Sequence, residues 1–382
     1  MLETLSQPLT TSSAFSANIE RPLLRGKMNF PVCLAPMVGL SHVAFRLMLR
    51  EYLPEGATTM WSTEMLNSRR IPDENLKKTP ETMRHESETD LVPQILGNEA
   101  EPIAKSCARL EHEWGASGID INMGCPVKKA LSHNYGVALM GDSDYAAEVV
   151  RMTVTSTSLP VSVKLRAGHQ NDLEYFPVSV KLRAGHQNDL EYLTKFIKGL
   201  EQAGASWVTL HPRTTEQKRR GAADWSQIRQ VREQVKIPII GNGDIQVVDD
   251  FLNMREQTGC DAVMIGRALT ARPWLLWQIG EKLGFAPPKG RTGSAPQTQE
   301  EEGREYGLAL RKLAFQMQEH FPEGLGLRKF RFFVKTGGPW LLFGHDLHAR
   351  TTRVKTWSEI HEQLDLFFAQ EHTMCGRTEL RQ

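Results

Sequence analysis

The sequence predicts an α/β fold, a (β/α)8 TIM barrel followed by a C-terminal helical domain, and three observations carry that expectation. Between residues 30 and 280, eight short apolar runs alternate with amphipathic stretches, the pattern of βα units feeding a parallel sheet. Eight strands over roughly 240 residues match the size of one closed barrel. Almost every run also ends in a polar or glycine-rich group, and the C-terminal ends of the strands form the working face of such a barrel.

Taken in order, the first run, Val32 to Pro36, ends in Ala35-Pro36-Met37. The second is Thr59 to Thr63, and the third, Leu91 to Leu96, carries Gln94. Gly118 to Met123 leads into Asn122-Met123-Gly124-Cys125-Pro126, and the fifth run is Val161 to Arg166 or its copy. Ser206 to His211 continues into Pro212-Arg213, Pro238 to Asn242 into Gly243-Asp244, and Ala262 to Arg267 closes the series on Gly266-Arg267. The fifth run is ambiguous because Pro160 to Tyr175 recurs unchanged at Pro177 to Tyr192, a tandem duplication with a period of 17 (177 − 160). Two copies of so short a unit do not make a solenoid, and the barrel has room for one fifth strand. If Val161 to Arg166 is the strand, the extra repeat lengthens a loop on the working face; if Val178 to Arg183 is, it lengthens one on the opposite face. Both readings stay open, so Lys164 and Lys181 are equal candidates for one position.

The expected boundaries are a flexible N-terminal tail over 1–25, the barrel over 26–284, a linker over 285–303 rich in Pro, Gly, Ser, Thr, Gln and Glu, and a helical domain over 304–382. That last segment mixes Arg328, Lys329, Arg331, Lys335, Arg350, Arg353 and Lys355 with Phe330, Phe332, Phe333, Trp340, Phe343 and Trp357. With 382 residues, 40% hydrophobic and 24% charged, the chain is able to bury a large core. A net charge of only +1 means that a nucleic-acid partner has to be held by a local basic surface and not by an overall field. The five cysteines are scattered, with neither a CxxC pair nor a Cys/His cluster, which argues against a disulfide framework and against a metal site. The N-terminal residues lack an apolar signal core and no later stretch reaches the roughly 18 apolar residues of a membrane span. A cytoplasmic, monomeric protein with no membrane contact is expected.

Four groups carry chemistry. Cys125, between Gly and Pro directly after a barrel strand, is held in a tight turn facing the mouth, where a thiol protonated at neutral pH serves as a proton donor. Gly241-Asn242-Gly243-Asp244 and Gly266-Arg267 close strands seven and eight, the usual phosphate corner of this fold, where glycines let backbone N–H groups approach an anion and Arg267 adds a charge. The fifth-strand lysine follows apolar residues, and burying it calls for an anionic partner. His211 ends the sixth strand among these polar groups.

In this order, Leu34-Ala35-Pro36-Met37, Val92-Pro93-Gln94, Asn122 to Pro126, Val-Lys-Leu-Arg, His211-Pro212-Arg213-Thr214, Gly241 to Ile245 and Val263 to Arg267 resemble the motif series of the tRNA-dihydrouridine synthases, bacterial type, over about residues 30 to 280. The resemblance implies FMN held by Pro36, Met37, Val38, Gln94, Asn122, the strand-five lysine (Lys164 or Lys181), His211, Asn242, Gly243, Asp244, Gly266 and Arg267. It implies NADPH or NADH as reductant, hydride passing from flavin N5 to C6 of a uracil, and a proton from Cys125 to C5. It further implies tRNA held by Lys129, Arg213, Arg328, Lys329 and Arg331. A flavin enzyme acting on a small molecule and a non-catalytic tRNA-binding protein are the rival readings. The Asn-x-Gly-Cys-Pro turn and the basic C-terminal segment argue against the first, and the density of motifs in the barrel against the second.

Overall fold

A computed structural model describes residues 17–168, 189–215, 217 and 221–378. Eight parallel strands close into a barrel in sequence order: β1 (Val32–Leu34), β2 (Trp61–Asn67), β3 (Leu91–Leu96), β4 (Ile119–Met123), β5 (Val161–Gly168), β6 (Trp207–Thr214), β7 (Ile239–Asn242) and β8 (Ala262–Ile265). The ring closes where Val32 to Leu34 of β1 pair with Val263 to Ile265 of β8.

Alternation along each strand sorts the side chains. Ile119, Ile121, Val161, Val163, Val208, Leu210 and Val263 point outward and join one large core under the helices. The intervening residues face inward. At the N-terminal end of the barrel these are apolar, and Cys33, Met60, Val92, Trp207, Ile240, Ala262 and Met264 form a second cluster with Leu23, Leu24 and Met28. Further along the same strands the inward positions turn polar, with Gln94, Asp120, Asn122, Ser162, Lys164 and Thr209.

The helices are α1 (Val43–Arg50), α2 (Ala100–Arg109), α3 (Lys128–Leu131), α4 (Ser143–Thr155), α5 (Leu190–Gln202), α6 (Ser226–Gln234), α7 (Val248–Thr258), α8 (Arg267–Ala271) and α9 (Leu275–Lys282). They are followed by α10 (Gln299–His320), α11 (Glu323–Gly337), α12 (Gly344–Arg353) and α13 (Trp357–Phe367). Side-chain caps set several starts: Asp142 accepts from Tyr145 N ahead of α4, and Thr298 and Glu301 form a capping box ahead of α10. Between β2 and β3 no α-helix stands. Pro72, Asn75 and Pro80 interrupt helical hydrogen bonding there, and the connection instead packs Ile71, Leu76 and Thr82 as successive turns.

Three boundary expectations are corrected. Residues 17–25 are not a flexible tail: Leu23 and Leu24 plug the barrel floor, and the Arg21 guanidinium donates to the carbonyls of Ile237 (2.9 Å) and Arg232 (3.1 Å). The stretch 285–303 is not a free linker, since Ala286–Pro288 pairs antiparallel with Pro54–Glu55, and α10 starts at Gln299, earlier than the expected 304. The C-terminal helices also share the barrel's core, with Phe333 of α11 against Phe45 of α1 (ring centroids 5.1 Å apart) and Tyr52 donating to Glu305 of α10 at 2.6 Å. Among the described residues no helix is long and apolar enough to cross a membrane.

The duplication is resolved at both of its ends. The first copy supplies β5, while the second supplies Asp189, whose carboxylate accepts from Tyr192 N and starts α5. The extra repeat therefore falls in the connection that leaves the C-terminal end of β5. Lys181 lies outside the described residues. Deleting residues 169–185 restores one uninterrupted copy and leaves every described contact in place. Because the shorter connection costs less closure entropy, the variant is expected to gain about 1–2 kcal/mol and a few degrees in calorimetric melting temperature; a fall would show that the second copy contributes to the fold.

Candidate active site

At the C-terminal mouth, Pro36, Val38, Met65, Gln94, Asn122, Gly124, Cys125, Pro126, Lys164 and Arg166 line one cavity of ≈ 180 Å³. A directed chain of hydrogen bonds runs beneath it. Ser162 Oγ and Gln94 Nε2 both donate to the buried carboxylate of Asp120, each at 2.6 Å. Gln94 Oε1 accepts from Asn122 Nδ2 at 2.6 Å, and Asn122 Oδ1 in turn accepts from the backbone N–H groups of Cys125 (2.9 Å) and Gly124 (3.1 Å). The other side of the turn is held by Arg166 Nε donating to the Gly124 carbonyl (3.0 Å) and Val137 N to that of Cys125 (3.2 Å). Gly136 sits so close that a Cβ there would come within 2.6 Å of the Cys125 carbonyl oxygen.

Lys164 projects into this polar end of the barrel with no hydrogen-bond partner among the described residues. Burial pushes its amine down to about 8, the Arg166 guanidinium adds to that, and Asp120 opposes it. His211 is pushed down to about 2 by burial and by the surrounding cations, Lys164, Arg166, Arg213 and Arg267, so it stands as a neutral imidazole. Its ring packs on Gly243, where φ is +119° and a Cβ would lie 2.9 Å from His211 Cδ2; only glycine fits both constraints. Asn242 donates to the Met264 carbonyl at 2.8 Å, tying β7 to β8. Gly266 faces Met37, whose Sδ would meet a Cβ there at 3.3 Å. The expected residues thus fall into two adjoining groups, the mouth around Cys125 and Lys164 and the corner from His211 to Arg267.

The family model described as Dihydrouridine synthase (Dus) matches residues 33–176 and 169–335, and the two stretches overlap inside the duplication. The chain belongs to the dihydrouridine synthase family. A probable tRNA-dihydrouridine synthase of Rickettsia conorii is 34% identical over 70% of this chain and 74% of its own. One of Rhodobacter capsulatus is 34% identical over 70% and 76%, and one of Mycobacterium tuberculosis 31% over 88% and 81%.

In this dihydrouridine synthase family member several expected ligands have other partners. Arg213, expected at tRNA, has a side chain only 4% exposed and forms a two-pronged ion pair with Asp244 at 2.6 and 2.7 Å, with a further bond to the Gly221 carbonyl. Asp244, expected at the cofactor, has its carboxylate bonded to Arg213 and to Ala223 N (2.6 Å). Lys329, expected at tRNA, is paired with the buried Glu64 at 2.9 Å. Arg331 donates to the carbonyls of Thr351 and Val354 at the end of α12. Arg328 is exposed on α11, whereas the Lys129 side chain lies outside the description. Most aromatics of the C-terminal segment are core, with Phe330, Phe333, Trp340 and Trp357 buried and Phe332 46% exposed.

Asp120 and Met65, with Glu64 beside the mouth, are residues that the motifs did not single out, and Arg166, the end of the Val-Lys-Leu-Arg motif, was given no role. The signal for Asp120 was present, a lone acid between Ile119 and Ile121 at an inward position. Breaking the Arg213–Asp244 pair with Arg213→Ala is expected to cost about 3–5 kcal/mol in urea unfolding, since it strands a carboxylate against protein, while Arg328→Ala should stay within about 0.5 kcal/mol of the parent. Equal, small effects would return Arg213 to the surface role first expected of it.

Proposed function

We propose that this protein is a tRNA-dihydrouridine synthase that reduces one uridine of tRNA to 5,6-dihydrouridine with FMN and NADPH or NADH. The observation that carries the reading is Cys125 held in a braced turn at a mouth it shares with Gln94, Asn122 and Lys164.

The donor set fits a flavin mononucleotide. A half-buried lysine without a hydrogen-bond partner among the described residues suits the electron-rich edge of the flavin ring, with Pro36, Val38, Gln94 and Asn122 lining the same cavity and Met37 nearby at Gly266. The backbone N–H groups around Gly243 and Gly266 would take the phosphate, with the neutral His211, Asn242 and Arg267 completing the corner. When bound and reduced, the flavin supplies the hydride, and the nicotinamide nucleotide supplies its electrons.

The chain's own residues do the rest. Cys125 delivers a proton to C5 of the uracil, and Asn122 holds the turn from which it does so. The target base has to leave its stack to reach the mouth, at a cost of a few kcal/mol. Exposed cations on the C-terminal helices, Arg328 and Lys335 on α11, Arg353 at the end of α12 and Lys355 after it, would hold the RNA backbone and offset that cost.

Unmodified tRNA incubated with the FMN-loaded protein and NADPH is expected to gain two hydrogens at one uridine by mass spectrometry, and Cys125→Ala to slow the gain by about 10²-fold or more. Bleaching of the flavin by NADPH with no change in tRNA mass would overturn the assignment. Lys164 gives a second test. An anionic ligand draws the proton back onto its amine, so below about pH 8 the charge is present before and after binding, and above it binding requires proton uptake. FMN affinity, followed by fluorescence quenching, should therefore fall about tenfold between about pH 7 and pH 9 in the parent and stay flat in Lys164→Met.

A further inference from the structure

We propose that Asp120 is a positioning residue for Cys125: its buried carboxylate orients the Gln94 and Asn122 amides in one sense and thereby aims the cysteine turn at the base. The proposal rests on the reading above, in which Cys125 protonates the uracil.

Asp120 belongs to β4 and faces the barrel axis, 3% exposed. A carboxylate only accepts, so the Gln94 amide must present Nε2 to it and turn Oε1 the other way. Oε1 is met by Asn122 Nδ2, which leaves Asn122 Oδ1 for the N–H groups of Gly124 and Cys125. The chain has an acceptor at one end and backbone donors at the other, and turning either amide over sets N–H against N–H. The carbonyls of the turn are held by Arg166 and Val137, while its N–H groups at Gly124 and Cys125 are held by this chain. An apolar residue at 120 removes the acceptor that chooses the sense, and the loosened thiol loses rate, since a misplacement of about 1 Å costs on the order of 10²-fold.

The test uses the FMN-loaded protein and separates two half-reactions. In Asp120→Leu, single-turnover reduction of tRNA by pre-reduced protein is expected to fall about 30- to 100-fold, with bleaching of the flavin by NADPH changed less than about threefold. Asp120→Asn, which keeps an oxygen for Gln94 and offers its amide to Ser162, should recover most of the loss. In a Cys125→Ala background, Asp120→Leu should add less than about a factor of two, because a residue acting through Cys125 has nothing left to act on. Alkylation of Cys125 by iodoacetamide, read by peptide mass without tRNA, should change several-fold in Asp120→Leu and return in Asp120→Asn. Equal slowing of both half-reactions, multiplication with Cys125→Ala, or loss of FMN with unchanged alkylation would overturn the proposal and place Asp120 with the cofactor. If Asp120→Leu does not fold, Asp120→Ser, too short to reach Gln94, takes its place. If the parent is bleached by NADPH yet leaves tRNA unchanged, the functional reading fails and the alkylation rates alone decide the role of Asp120.

Discussion

Inside a closed barrel the inward side chains of eight strands converge on one axis, so each polar group there has to find its partner on another strand or in a ligand. This protein meets the constraint by dividing the interior. The lower part is apolar, filled by Met60, Val92, Trp207 and Met264 and sealed by Leu23 and Leu24. The upper part links β5, β4 and β3 through Ser162, Asp120 and Gln94 before reaching Asn122 and the cysteine turn. Lys164 has no hydrogen-bond partner among the described residues at the same height. The interior is therefore rigid around Cys125 and electrostatically incomplete beside it, the condition under which an anionic ligand gains most from a fixed cation.

The same economy governs the periphery of the mouth. Glu64 in the middle of β2 accepts from Gly39 N at 2.5 Å and from Lys329 of α11, while Phe332 of α11 covers Gly39, where a Cβ would come within 3.0 Å of its ring. The β1 loop carrying Pro36 to Val38 is thus clamped between a barrel strand and a C-terminal helix. Val38, itself 64% exposed, lies on a loop that the helix bearing Arg328 and Lys335 has already fixed. Buried pairs such as Glu64–Lys329 and Arg213–Asp244 add little net stability over apolar packing, and their value lies in allowing a single arrangement of these loops.

Local pattern made the strands and the mouth legible, because alternation and strand-end chemistry are written in consecutive residues. The eight runs place β1 to β8 within a few residues, and Cys125, Gln94, Asn122 and Lys164 meet in one cavity. Partnership was not legible. Arg213 and Lys329 read as surface cations because their carboxylates lie 31 and 265 positions away in the chain. Arg21, in what reads as a loose tail, donates to a carbonyl 216 positions on. Polarity in a sequence states that a group needs a partner, and only the fold says whether that partner is RNA, a cofactor or another side chain.

The choice between the two identical strands shows what decides a register when side chains cannot. Either copy would present the same residues to β4 and β6, so packing is neutral. What differs is the connection from α4. Ahead of the first copy, residues 156–159 are held tightly: Thr157 Oγ1 and Ser158 N both donate to Glu111 (2.5 and 3.1 Å), and Arg25 bonds the Ser158 carbonyl. Pro160 and Val161 then give their carbonyls to Ile119 N and Ser206 N. Using the second copy would require 17 further residues at the barrel floor, which the 17–28 segment already closes. At the other end Asp189 caps α5 from the second copy without disturbing β5. The extra length consequently falls in the connection between β5 and α5, because the fold has spare length only where it is unsealed.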